Sequence, residues 1–146
     1  MTTISIPTRS KWVGEDGMDK YITEQTRCNV WSGVGICIRK NEKTAILRSV
    51  DDTYYYANNL DDPNNVEYTL YGQNGDQDER EPRYNEPLLN PEKTEHIYLY
   101  RVRPKSREKY MFYGKYTIGG RIVKPNRGRD GIMRNVIVLK LTKIND

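Results

Sequence analysis

Histidine and cysteine are scarce in this chain, and several chemistries go with them. Among 146 residues there is one histidine, His96, and there are two cysteines, Cys28 and Cys37. A lone histidine inside an alternating segment is more often structural than catalytic, and it cannot supply the His pairs of a metal-dependent hydrolase. Two cysteines make neither a disulfide framework nor a zinc site, so free thiols and an intracellular location are the expectation. No Gly-x-Ser-x-Gly, P-loop or paired metal-ligand motif occurs, which argues against an enzyme and against a cofactor. No apolar run approaches the ~18 residues that a membrane span requires. The opening MTTISIPTRSKW has no apolar signal core, so secretion is not expected. Phenylalanine occurs once; the aromatic content is carried by 12 tyrosines.

Charge is plentiful but unevenly placed. The net charge is only +4, yet residues 51–95 hold most of the acidic side chains and residues 101–143 are strongly basic. That asymmetry favours a polyanionic partner on the C-terminal half. Asp51, Asp52, Asp61, Asp62 and Glu67 could be imagined as a metal site, but carboxylates in turns beside strands are usually solvated, and no metal is expected.

Period-two alternation dominates the chain. It predicts strands over Trp31–Lys40, Thr44–Val50, Tyr54–Ala57, Val66–Tyr71, His96–Arg103, Lys109–Ile118, Arg121–Lys124 and Met133–Ile144. Gly33 and Gly35 mark a bulge or a close backbone approach. Asn41-Glu42-Lys43 and Gly119-Gly120 read as turns, and Pro63 excludes a central strand around it. Charge and proline between Asn74 and Pro91 predict a long loop with one helical turn near Glu86–Leu89. A short helix is allowed over Asp16–Cys28. About eight short strands with little helix point to a mainly β, twisted antiparallel barrel. Residues 1–30 read as an arm and 31–146 as the domain, with no internal repeat and no linker long enough to split it.

The stretch Tyr54–Gln77, YYYANNLDDPNNVEYTLYGQNGDQ, is the richest in binding chemistry. Tyrosine stacks through its ring and needs a partner for its hydroxyl. Asn and Gln both donate and accept, as reading the edge of a nucleobase requires. A tyrosine-rich hairpin covering a small core has the same composition. Arg101, Arg103, Lys105, Arg107, Lys109, Lys115, Lys124, Arg127 and Arg129 interleave with Tyr98, Tyr100, Tyr110 and Phe112, as in a groove for nucleic acid, although charged loop tips also serve solubility alone.

Tyr56, Tyr68 and the run Tyr68-Thr69-Leu70-Tyr71-Gly72-Gln73-Asn74-Gly75-Asp76-Gln77 resemble the signature of SRA (SET- and RING-associated) domains. The similarity is to the SRA-like modules of bacterial modification-dependent HNH endonucleases, and Asn85-Glu86-Pro87-Leu88-Leu89 and Tyr113-Gly114 follow in the family's order over roughly residues 31–143. The resemblance implies a PUA-like β-barrel that binds nucleic acid, DNA before RNA. It implies that a modified base is flipped and sandwiched between Tyr56 and Tyr68, with Asn59 at the position usually acidic and Tyr71, Gln73, Asp76 and Gln77 around it. Arg101, Arg103, Lys105, Arg107, Lys115, Arg127 and Arg129 would meet phosphates. The chain departs from the pattern at Tyr54-Tyr55, Asn59 and Leu70. Its short acidic Asp78-Glu79-Arg80-Glu81 stands where some members carry a long basic finger. A structural or interaction protein on the same fold, with or without a protein partner, and a PUA-like RNA binder both remain open.

Overall fold

Alternating apolar residues on four segments assemble one sheet around one core. The computed structural model describes residues 35–51, 53–107 and 109–144. Its strands are β1 (Ile36–Arg39), β2 (Thr44–Val50), β3 (Asn65–Thr69), β4 (His96–Val102), β5 (Tyr110–Arg127) and β6 (Met133–Ile144), with one short helix, α1 (Asn85–Leu89), before β4. The sheet order is β1-β2-β4-β5-β6-β3. Ala45 and Leu47, Ile97 and Leu99, Val66 and Tyr68, and Ile137, Leu139 and Leu141 point the same way and join Ile36, Leu60, Leu70, Leu88 and Tyr116 in the core. This is period-two burial, one face of each strand.

The fold is mainly β, as expected, but differs from the sequence reading in four ways. First, β2 and β4 pair in parallel, Thr44 opposite His96 through Val50 opposite Val102. A parallel pair needs a long crossover, and residues 51–95, with β3 and α1 inside them, provide it. Second, Gly119-Gly120 is not a turn. One strand runs through it, with a register shift between Ile118 and Gly120 where β5 bends along β6. Third, Tyr54–Ala57 is a turn rather than a strand, and β3 pairs with β6; among the described residues only Asn59 and Glu67 bridge the expected hairpin. Fourth, among the described residues the sheet does not close by a ladder, and β1 and β3 are its edges. The proposed arm over 1–30, with its helix, and residues 31–34 of the first strand lie outside the described residues. Cys37 is disulfide-bonded, against the expectation of free thiols; Cys28 lies outside the described residues. Among the described residues no helix is long and apolar enough to cross a membrane.

The start of α1 is organised by one carboxylate. Glu81 accepts hydrogen bonds from the amides of Arg83 (3.0 Å), Tyr84 (2.8 Å) and Asn85 (3.1 Å) and from Arg83 Nε (3.1 Å). Burial opposes its ionisation, but these donors together hold it below the usual carboxylate range. A depressed folded pKa contributes stability above the unfolded value and loses it as pH falls through the folded one. Glu81→Gln is therefore expected to cost about 1 kcal/mol at neutral pH. Denaturation curves should show the gap from wild type closing as pH falls below ~4.3.

Candidate functional site

The unclosed seam of the sheet is where the tyrosines meet. Tyr68, on the β3 edge, is buried at 3% exposure, and its hydroxyl donates toward the backbone oxygens of Gly35 (2.7 Å) and Arg48 (3.1 Å). One side chain thus spans from β3 to the β1–β2 edge, between which no ladder forms among the described residues. The close approach suggested for Gly35 is real: a Cβ there would lie 2.6 Å from the Tyr68 hydroxyl and 2.8 Å from the Arg48 oxygen. Burial pushes the Tyr68 hydroxyl well above the ordinary range, so it remains a donor. Tyr68→Phe leaves the ring in place and removes both bonds. It is expected to lower stability by about 1–2 kcal/mol, read as a shift in the urea midpoint with the slope unchanged.

Beside this strut lies a cavity of about 220 Å³, lined by Gly35, Arg48, Tyr55, Tyr56, Asn58, Tyr68, Thr69 and Tyr71 among others. Tyr56 is half-buried on one wall; desolvation pushes its hydroxyl up to about 12, partly offset by the Gly72 amide beside it. The Tyr55 and Tyr56 rings meet at 4.9 Å, and Tyr54 and Tyr55 edge-to-face at 5.3 Å. Tyr71 packs on Tyr84 at 4.8 Å with the Arg83 guanidinium over both rings. Asn58 is held in place: its Oδ1 accepts from the Thr69 amide and its Nδ2 donates to Ser49 Oγ.

Of the residues expected to hold a base, Tyr56, Tyr68 and Tyr71 therefore line one cavity. Asn59, Gln73, Asp76 and Gln77 do not. Asn59 is exposed and faces an adjoining cavity. Gln77 splices its loop to β6, accepting from the Ile137 amide (2.8 Å) and donating to the Leu70 and Gly72 carbonyls. Asp76 accepts from the Asn135 amide (2.8 Å), and Gln73 from Arg129. The Asp76 carboxylate and the Asn59 and Gln77 amides are turned to backbone groups of their own chain, and the Gln73 amide to the Arg129 side chain. Among the described residues no cluster could hold a metal ion; Asp51 pairs with Arg101 and Glu67 with Lys140.

Two residues that matter to the cavity went unnoticed in the sequence. Buried Arg134 donates to the carbonyls of Tyr55 (2.6 Å), Gly72 and Gly75, tying one cavity wall to the Gly72 turn. Thr69 Oγ1 accepts from the Ala57 amide (2.8 Å). Only an arginine at an inward-facing strand position could have signalled the first, and nothing local signals the second.

The basic residues fall in three places. Arg101 makes a forked pair with Asp51 (2.7 and 3.2 Å) and bonds Tyr113, and Arg103 lies 3.8 Å from the same carboxylate, with Lys105 and Arg107 in the loop beyond. Lys115 lies over Tyr98 at 6.0 Å, beside Phe112. Arg127 and Arg129 sit at the β5–β6 hairpin end, where Tyr54 donates to the Arg129 carbonyl (2.6 Å). Tyr100 and Tyr110, expected to interleave with these cations, are buried in the interior.

The family model described as ScoMcrA-like, SRA domain matches residues 19–146. The chain belongs to that family. No curated protein matches it. Solved structures share the SRA fold at low identity. The modification-dependent TagI restriction endonuclease superposes with a TM-score of 0.57 at 16% identity, over 88% of this chain and 47% of that one. The sulfur-binding and SRA domains of ScoMcrA, complexed with phosphorothioated DNA, give 0.55 at 17%, over 81% and 37%. KRYPTONITE in complex with mCHH DNA, an H3 peptide and SAH gives 0.59 at 18%, over 85% and 29%. This SRA chain thus spans less than half the length of each.

Proposed function

We propose that this SRA domain is a DNA-recognition module without catalysis of its own, and that its seam cavity takes a flipped, modified base between Tyr56 and Tyr68. The observation that carries the reading is a small aromatic cavity between the β1 and β3 edges, which no ladder joins among the described residues, in a chain of a family whose structural neighbours include DNA complexes. Flipping costs a few kcal/mol, which stacking and edge hydrogen bonds must offset. Arg103, Lys105, Arg107, Lys115, Arg127 and Arg129 meet phosphates, while Arg101, already engaged by Asp51, braces the wall beneath them. Ile132 and Met133, exposed at 67% and 54% on the hairpin end that carries Arg127 and Arg129, suit apolar contact with opened base steps.

Tyr56→Ala is expected to weaken binding of a duplex carrying one 5-methylcytosine by about 1–3 kcal/mol, at least tenfold at the midpoint, and that of the unmodified duplex far less. Fluorescence of 2-aminopurine beside the modified base should rise with wild type and not with the variant. Replacing Arg103, Arg107 and Arg127 with Ala should flatten the salt dependence by about 0.9 units of slope for each phosphate no longer neutralised. No binding at low salt would favour the interaction-protein alternative instead.

A further inference from the structure

One asparagine of the chain is followed by glycine: Asn74, in the loop between Tyr71 and Gln77. An asparagine side-chain amide can be attacked by the backbone nitrogen of the next residue. A folded chain allows this when the nucleophile is free, the approach is open, the carbonyl is polarised and the leaving group is not held. All four conditions meet here. The Gly75 amide enters no hydrogen bond among the described residues. Gly75 takes a φ of +71°, which glycine adopts readily, and a Cβ there would meet nothing within 4 Å. Asn74 Oδ1 accepts from the Asp130 amide (2.8 Å), a donor aimed at the oxygen on which charge develops during the attack. Its Nδ2 donates to nothing among the described residues, and Asn74 and Gly75 are both exposed.

We propose that Asn74-Gly75 is a self-modifying site, at which the chain converts its own amide to a carboxylate with water as the only co-reactant. The Gly75 nitrogen bonds to Asn74 Cγ and gives up its proton, while the Cγ–Nδ2 bond breaks and ammonia leaves. Water then opens the cyclic imide at either carbonyl. One opening gives aspartate, the other its isomer with the backbone running through Cγ. Either product sets a new carboxylate against the Asp130 amide and two residues from Asp76, at the hairpin end that carries Arg127 and Arg129. The isomer also adds one backbone atom between Gly72 and Gly75, whose carbonyls Arg134 binds together. Positive charge at this end falls, and the brace on the Tyr55 wall loosens. DNA affinity declines as the protein ages. That consequence rests on the proposed DNA reading; the chemistry does not.

The test incubates the full chain in warm, mildly alkaline buffer, beside a synthetic peptide of residues 70–79 as the unfolded reference. Mass spectrometry with electron-based fragmentation reads conversion at each asparagine and separates the two products. Asn74 should convert about tenfold faster than Asn64 and Asn135, which are exposed but followed by larger residues, and within about threefold of the peptide. A rate at Asn74 no higher than theirs, or one far below the peptide's, means that the fold shields the amide and overturns the proposal. Fluorescence anisotropy on the 5-methylcytosine duplex then reads the consequence, with thermal unfolding as the folding control. Aged wild type should bind about threefold more weakly than fresh, and Asn74→Gln incubated alike should keep the affinity it began with. Aged wild type that converts and still binds as tightly as fresh overturns the link to DNA. Fresh wild type that binds no duplex removes the DNA reading instead, and the conversion rates still decide the chemistry.

Discussion

Asn85→Asp is expected to lower stability by about 3–5 kcal/mol at pH 7, a large share of the roughly 5–15 kcal/mol that keeps an ordinary domain folded. Asn85 is fully buried at the start of α1. Its Oδ1 accepts from the Tyr71 amide (2.8 Å), and its Nδ2 donates to the carbonyls of Tyr71 (3.0 Å) and Asp78 (3.0 Å). The two ends of the Gly72–Gln77 loop are therefore pinned to one side chain. A carboxylate keeps the accepting bond but cannot donate. It leaves the Tyr71 carbonyl unpaired, takes one of two donors from the Asp78 carbonyl, which keeps the Glu81 amide, and turns a buried negative charge toward both. Burial and those carbonyls would raise the folded pKa of the new acid. The deficit should then grow as pH rises above the unfolded value near ~3.9 and shrink below it, where the protonated acid restores one donor. Urea denaturation at pH 7 and pH 3.5 checks both signs; a wild-type midpoint at pH 7 would contradict the pinning role.

The strands were legible where local pattern decided them. Thr44–Val50 and Met133–Ile144 follow from alternation and match β2 and β6, and the helical turn before the HIYLYRVR strand is α1. The core residues of β2, β4 and β6 could be read from the same period. Pairing could not, because period two says which face a residue takes and not which neighbour its strand finds. Gly119-Gly120 looks like a turn to any local rule, and becomes a bend only because twelve residues of β6 lie alongside.

The candidate site was legible in its rings and illegible in its polar groups. Tyr56, Tyr68 and Tyr71 converge on one cavity as their chemistry suggested. Gln73, Asp76 and Gln77 carry the same donors and acceptors that a base edge would need, and composition cannot tell an outward-facing amide from one that bonds its own chain. Tyr54–Ala57 shows the same limit for the backbone. Its β propensity is high, yet its polar groups are taken by Asn126 on Tyr54, Arg134 on Tyr55 and Thr69 on Ala57, partners 12 to 79 residues away. Side chains from distant strands replace a ladder there, and the turn they impose is what sets Tyr56 against the cavity.

Arg134→Met carries that argument to its largest expected consequence. The guanidinium is only 5% exposed, donates to the Tyr55, Gly72 and Gly75 carbonyls, and keeps a buried Nε without a partner. Burial holds its pKa below the usual arginine value, with Tyr56, Asp130 and Asp76 pulling the other way. Methionine conserves much of the volume and removes every donor. Gly72 retains the Gln77 amide, and Gly75 stands in solvent, so Tyr55 bears most of the damage. One charge-assisted bond and part of two others are expected to cost about 2–4 kcal/mol. Lysine should recover little, since a point charge cannot fork between two turns. The effect should also reach function: a Tyr55 carbonyl released from β6 lets the adjacent Tyr56 wall drift. With binding measured well below each variant's melting transition, Arg134→Met should weaken the 5-methylcytosine duplex about tenfold and the unmodified duplex by less than threefold. If stability falls while the preference for the modified duplex is retained, Arg134 braces the fold alone, and the position of Tyr56 is set by the Gly72 amide instead.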